Sequence, residues 1–245
     1  MSDSWRGLYA PPLCGSHEAY NPRPKHYGPI NILVLVSGNG TNLQALLDAE
    51  KWGAFDIETK TGGSIPVGII TVGRIAAVVS DRNGIYALER AKAARIPAFV
   101  EEPNPSLPKP ERRRDLSDRI LRLCREKGIG FIVLAGFLSI LAGAILKDYS
   151  GRIINLHPAL LPKFGGQGMY GERVHRAVLA VGETESGCTV HLVDAGTDSG
   201  PILLQRKVPV LSDDTPETLA ERIHGEEHIA IVEGVRMMIG KLEAS

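Results

Sequence analysis

The run Asn31-Ile-Leu-Val-Leu-Val36 is apolar without polar alternation and has strand length, the pattern of a strand buried on both faces. A turn, Ser37-Gly38-Asn39-Gly40, follows it. Behind Thr41-Asn42, Leu43, Leu46 and Leu47 then recur at the spacing of one helical face. The same alternation continues: strand at Ile75 to Ser80, helix at Ile85 to Arg95, short strand at Ala98 to Val100, amphipathic helix at Glu111 to Lys127. Phe131 to Ala135 reads as a buried strand, Ile140 to Lys147 as a helix, Arg152 to His157 as a strand and Arg173 to Val181 as a helix. Thr189 to Val193 and Ile202 to Val210 read as further strands, antiparallel to the rest, and a long helix runs from about Pro216 to Lys241.

Strands and helices alternating through short connections predict an α/β fold with a doubly wound, mostly parallel sheet, because right-handed crossovers lay helices on both faces. Two stretches do not fit the pattern: the Gly-rich, β-branched Thr61 to Val72, read as an insertion, and the Gly-rich loop Gly165 to Gly171. No internal repeat is visible. Residues 1–30, with prolines at 11, 12, 22, 24 and 29, read as an N-terminal extension, and residues 31–245 as a single domain.

The most informative segment is Ile153-Ile-Asn-Leu-His-Pro158. Residues i and i+2 of a strand share a face, so Asn155 and His157 project together. Pro158 breaks the ladder, which sets the pair at the carboxyl end of the sheet, where open α/β sheets bind ligands. An amide N–H and an imidazole stabilise negative charge developing on an oxygen. No Ser or Cys nucleophile accompanies them, so covalent catalysis is not indicated.

Composition then narrows the partners. Among 245 residues, Lys plus Arg and Asp plus Glu are equal at 28 each, so no overall field favours nucleic acid or an anionic membrane. Cys14, Cys124 and Cys188 are scattered, which argues for a reducing compartment and predicts a cytoplasmic protein without a disulfide framework or zinc site. No signal architecture opens the chain and no apolar run reaches membrane-spanning length. Small-molecule substrates, no nucleic acid, no membrane and no metal are expected, with the protein a monomer or homodimer.

Two further motifs carry chemistry. The turn through Gly40, Thr41 and Asn42 joins a buried strand to a helix N-terminus, where backbone N–H groups and the helix dipole suit a phosphate. A plain βα turn is the competing reading. A dinucleotide is disfavoured because Leu43 stands where its fingerprint needs glycine. The segment His191-Leu-Val-Asp-Ala-Gly-Thr-Asp198-Ser-Gly-Pro201 holds two carboxylates in a tight loop, which the residues alone read as ordinary turn chemistry. A carboxylate there could also sit beside His157, favouring imidazolium and accepting a proton. The Arg112-Arg113-Arg114 run reads as an exposed helix face, Met237-Met238 as helix packing, and Cys188 with His191 supply too few ligands for a metal.

Blocks across residues 31 to 240 resemble the folate-dependent glycinamide ribonucleotide formyltransferase family: ILVLVSGNGTNLQALLDA, VVSDRNGIYALERAKAARIP, VLAGFLSILAGAI, GRIINLHPALLPKF, GCTVHLVDAGTDSGPILLQRKVPV and ERIHGEEHIAIVEG. The resemblance implies transfer of a formyl group from 10-formyltetrahydrofolate, as co-substrate, to the glycinamide amine in purine biosynthesis. It implies catalytic roles for Asn155, His157 and Asp198, with Asp198 keeping His157 charged and helping to remove the amine proton. It puts the phosphate on Gly40, Thr41 and Asn42, and glycinamide on Glu227. Folate would lie against Leu138, Ser139, Ile140, Leu141, Asn155 and the loop Asp194, Ala195, Gly196, Thr197, Asp198, with Arg114 as a further contact.

Three departures stand out: Ser139 where many members have Arg, a lengthened GGQGMYG loop, and the extension and insertion, which lack counterparts. Related readings are a methionyl-tRNA formyltransferase and a formyltetrahydrofolate hydrolase, disfavoured because no room for their additional domains is expected. A phosphate-binding regulatory module without chemistry is the rival of a different class.

Overall fold

The first strand, β1 (Ile30–Val36), sends Ile32, Val34 and Val36 to one side and Leu33 and Leu35 to the other, and each set enters a separate apolar cluster. Two-sided burial explains its unbroken apolar run. The computed structural model describes residues 28–60 and 66–244. After β1 come α1 (Thr41–Lys51), β2 (Asp56–Lys60), β3 (Pro66–Thr71), β4 (Gly73–Ser80), α2 (Tyr86–Ala93), β5 (Ala98–Val100) and α3 (Lys109–Glu126). They are followed by β6 (Ile129–Leu134), α4 (Ala144–Asp148), β7 (Ile153–His157), α5 (Glu172–Val181), β8 (Glu185–Leu192), β9 (Ile202–Pro209) and α6 (Pro216–Glu243).

The main sheet has the order β5-β4-β1-β6-β7-β8-β9. Strands β5 to β7 in that order are parallel, while β8 is antiparallel to β7 and β9 to β8. The chain winds outward from β1 through β4 to β5, then returns to the other side with β6 and β7. That reversal is the topological switch point at which such sheets open a crevice beyond their carboxyl ends. In β4 the register jumps from Ile75 to Ala77 opposite Ile32 and Leu33, so Ile75 and Val78 reach the same cluster despite their odd spacing.

Helices α1, α2, α5 and α6 cover one face, where Leu43, Leu46, Ala87, Val178, Ile223, Ile231 and Val235 meet the sheet. Helices α3 and α4 cover the other with Leu116, Ile120, Cys124 and Ile145. Each fully buried Leu, Ile or Val contributes about 1.5 to 3 kcal/mol relative to exposure, so these two layers dominate stability. Helix α6 starts at a capping box between Thr215 and Thr218 with Pro216 behind it, and Arg206 of β9 fastens it by ion pairs to Glu226 at 2.9 Å and Glu233 at 2.8 Å.

Four expectations change. The helix foreseen over Ile140 to Lys147 is confined to α4, because Gly143 takes φ 78° and the Ala142 N–H bonds the Ser117 hydroxyl at 2.9 Å instead of a helical carbonyl. The strand foreseen from Thr189 reaches back to Glu185 and ends at Leu192. The insertion is part of an antiparallel hairpin, β2 with β3, that starts earlier, at Asp56; residues 61–65 lie outside the described residues. Of the N-terminal extension, residues 1–27 likewise lie outside them, and Ile30 already belongs to β1. Among the described residues, no helix is long and apolar enough to cross a membrane.

Candidate active site

Asn155 and His157 lie on the β7 face that also carries Ile153, toward the α3 side, and both line a cleft of about 710 Å³ at the carboxyl ends of the strands. That volume lies in the range of small-molecule sites. The apolar wall is Leu116, Leu134, Phe137, Leu141 and Val193, an extension of the core beneath it. Antiparallel pairing sets His191 of β8 opposite Asn155, so a second imidazole enters the cleft.

The loop after β8 brings Asp198 to both rings. Its Oδ2 lies 3.6 Å from His157 Nδ1 and its Oδ1 3.7 Å from His191 Nε2. The residue adopts φ 57°, a left-handed conformation that Asp tolerates better than most side chains. Gly166 donates its N–H to Oδ2 at 2.9 Å, tying the Gly-rich loop to the carboxylate.

Hydrogen bonding assigns the ring protons. A carbonyl only accepts, so His157 Nε2 donates to the Phe164 carbonyl at 2.8 Å, and Nδ1 is the bare nitrogen of the neutral ring. By the same reasoning His191 Nδ1 donates to the Leu192 carbonyl at 2.9 Å, and its Nε2 accepts one Asn155 amide hydrogen at 3.0 Å. That bond fixes the Asn155 amide and leaves its second hydrogen for the cleft.

Burial lowers the His157 pKa below its ordinary 6.5, and the opposing attraction of Asp198 and the Phe164 carbonyl does not restore it. Asp198 thus favours the charged ring, while desolvation is the larger influence and favours the neutral one. Burial by itself would raise the Asp198 carboxyl, but His191, His157 and the Gly166 N–H together hold it below 3.8, so it is ionised.

At the other end of the cleft, Asn42 donates through Nδ2 to Glu227 Oε2 at 3.3 Å, and His224 Nε2 lies 3.7 Å from the same oxygen. Burial raises the Glu227 pKa, with His224 and Asn42 pulling the other way. Asn42 Oδ1 is buried without a partner among the described residues. Gly40 caps α1 at φ 72°, and a Cβ there would fall 2.6 Å from Ala87 Cβ, so the turn demands glycine. Thr41 faces a neighbouring groove with Gln44 and Arg90.

Leu138, Ser139, Ile140 and Leu141 line the cleft as a loop, anchored by the Leu138 N–H on the Ser37 hydroxyl at 2.8 Å and by the Ser139 hydroxyl on Asp81 at 2.7 Å. Asp194, Gly196 and Thr197 line it as well; Ala195 does not. Nor does Arg114: it is exposed and packs over Gly143, while Lys109, Arg112 and Arg113 face the cleft. Arg113 shares the helical face of Leu116, Ser117 and Ile120, the signal that distinguishes it from Arg114. His191, weighed in the sequence only as a metal ligand, and the buried His175 also line the cleft; the place of His191 beside Asn155 could have been found from their antiparallel register. Among the described residues, no cluster of three or more His, Cys, Asp or Glu is arranged to hold a metal.

The sequence profile of the formyl transferase family matches residues 30–235. The chain belongs to this family. Its enzyme class is accordingly that of a formyltransferase. Within the family, the chain is 35% identical over 81% of its length to the phosphoribosylglycinamide formyltransferase of Escherichia coli (strain K12), 82% of which is covered. It is 40% identical, over 84% of its length, to the trifunctional purine biosynthetic protein adenosine-3 of Drosophila pseudoobscura pseudoobscura, but spans only 14% of that longer protein. The solved glycinamide ribonucleotide transformylase 1 of Symbiobacterium toebii superposes with a TM-score of 0.74 at 38% identity, covering 88% of this chain and 90% of that one. The family fold agrees with the mostly parallel sheet carrying antiparallel strands at one edge.

Proposed function

We propose that the protein transfers the formyl group of 10-formyltetrahydrofolate to the amine of 5'-phosphoribosylglycinamide, as a single catalytic domain beginning at β1. One observation carries the reading: an amide, an imidazole and a carboxylate converge in one cleft beside an apolar wall, a set suited to formyl transfer to an amine. The formyl donor lies along that wall near Leu138 to Leu141, its carboxylates toward Lys109, Arg112 and Arg113. The phosphate of the acceptor rests on the N–H groups of Gly40 to Asn42, and its glycinamide end meets Glu227.

The amine attacks the formyl carbon, and the free amide hydrogen of Asn155 meets the oxygen as it becomes negative. The attacking nitrogen becomes cationic and gives a proton to His157 Nδ1, the bare ring nitrogen facing Asp198. Asp198 stabilises the imidazolium thus formed, which then hydrogen-bonds the oxyanion and returns the proton to the departing folate nitrogen. Removing one oxyanion donor in such sites costs roughly 2.7 to 4 kcal/mol of barrier.

The test is purified protein with 10-formyltetrahydrofolate, in the presence and absence of glycinamide ribonucleotide. Formylglycinamide ribonucleotide should appear together with tetrahydrofolate only when the acceptor is present. Tetrahydrofolate release without acceptor would mean a hydrolase and would overturn the proposal.

A further inference from the structure

The Gly38 to Asn42 turn contains no lysine or arginine, yet the acceptor proposed above presents it with a phosphate dianion. Three successive carbonyls of the turn are each occupied by a donor. Gly38 O accepts the Ala87 N–H at 3.3 Å, Asn39 O accepts Arg90 Nε at 2.8 Å, and Gly40 O accepts the Gln44 N–H at 2.9 Å. With the oxygens so occupied, the N–H groups of the turn can converge as an anion nest. The central tether is a side chain, and a cationic one.

Arg90 is also braced. Nη1 donates to Gln44 Oε1 at 3.0 Å, so the guanidinium spans the turn and the first turn of α1, and its Cζ lies 4.7 Å from the Tyr86 ring centroid. Behind it, Ala87 stands so close to Gly40 that α2 and the turn meet at backbone distance. The charge reaches α6: the pKa of His228 is lowered by burial first and then by His224 and Arg90. A fixed cation therefore sits directly behind the turn.

We propose that Arg90 is the positioning residue of the acceptor-phosphate site, orienting the Gly38 to Asn42 backbone through Asn39 and supplying the positive charge that the turn lacks. The inference rests on the acceptor assignment above. It places a specificity determinant for phosphorylated over unphosphorylated acceptors on α2, outside the cleft. Arginine suits the task because its planar fork makes both bonds at once, which lysine does not.

The experiment measures dissociation constants of glycinamide ribonucleotide, glycinamide ribonucleoside and 10-formyltetrahydrofolate by calorimetry, for the wild type, Arg90→Ala and Arg90→Lys, with product formation assayed alongside. Arg90→Ala should weaken the ribonucleotide by about 10-fold to 100-fold, the range for losing a charged hydrogen bond. The ribonucleoside and folate constants should stay within about threefold, which also shows that the variant is folded. Arg90→Lys should remain close to Arg90→Ala. Equal losses for ribonucleotide and ribonucleoside would overturn the inference, as would full recovery in Arg90→Lys, or a wild type that does not distinguish the two acceptors. Tight ribonucleotide binding without formyl transfer would defeat the acceptor reading instead, leaving the Arg90 inference to be judged on the binding ratio.

Discussion

His157 Nδ1 stands 3.6 Å from Asp198 Oδ2 while the opposite ring nitrogen is held by the Phe164 carbonyl at 2.8 Å. The ring can therefore change its protonation only on the side facing the carboxylate. Asp198→Asn preserves the left-handed backbone, which Asn also tolerates, and removes the charge alone. It should lower kcat by about 10²-fold or more while both substrates bind nearly as in the wild type. Because Asp198 opposes the downward shift of His157, the acid limb of kcat/KM, set below pH 6.5 by the His157 base, should move to still lower pH in this variant. Near-normal kcat, measured by stopped-flow or steady-state turnover, would refute the proton-transfer role.

Asn155 spends one amide hydrogen on His191 at 3.0 Å and keeps the other for the cleft. Asn155→Ala should reduce kcat by about 10²-fold to 10³-fold, the loss typical of one oxyanion donor, and change substrate dissociation constants little. Comparing single-turnover rates with binding isotherms separates the two effects. A variant impaired only in binding would show that the amide merely lines the cleft.

Glu227 is 5% exposed and faces Asn42, so its carboxylate has few alternatives to a substrate donor. Glu227→Gln should raise KM for the acceptor by roughly 10-fold to 100-fold, as for loss of a charged hydrogen bond. KM for the folate donor should be unaffected. A change in the donor KM of equal size would place Glu227 in general architecture.

His175 is buried with Nδ1 unpartnered among the described residues, and burial first, then His224, depresses its pKa to about 4. Unfolding releases it to about 6.5, so the unfolded chain binds more protons between those values. Stability is thus complete above about pH 6.5 and declines as pH falls toward 4, by roughly 3 kcal/mol from this residue. Burial lowers His228 in the same direction. Urea denaturation across this window should be flatter in His175→Gln; an unchanged slope would assign the acid sensitivity elsewhere.

The strands and the Asn155 with His157 pair were legible because period and punctuation sufficed: a two-sided apolar run for β1, and a shared face before Pro158 for β7. Other features depend on contacts that one-dimensional spacing does not record. Leu141 and Ile145 sit at helical spacing, yet Gly143 and the Ser117 hydroxyl turn the segment before α4 into a loop. Asp198 reads as turn chemistry until the β8 to β9 connection folds over the β7 face. His157 has a carboxylate neighbour, which suggests a charged ring, but the degree of desolvation that outweighs it belongs to the packed structure. Three adjacent arginines differ only by their rotation about α3, and the buried residues that follow select Arg113.

The bond from the Gly166 N–H to Asp198 makes the proton affinity of the site a property of a surface segment as well as of the rings beside it. A carboxylate that loses an N–H donor holds a proton more tightly. Each departure of that glycine from its bonded position therefore makes Asp198 more basic, and the conformation of the segment after β7 is written directly into the titration of the acid that faces His157.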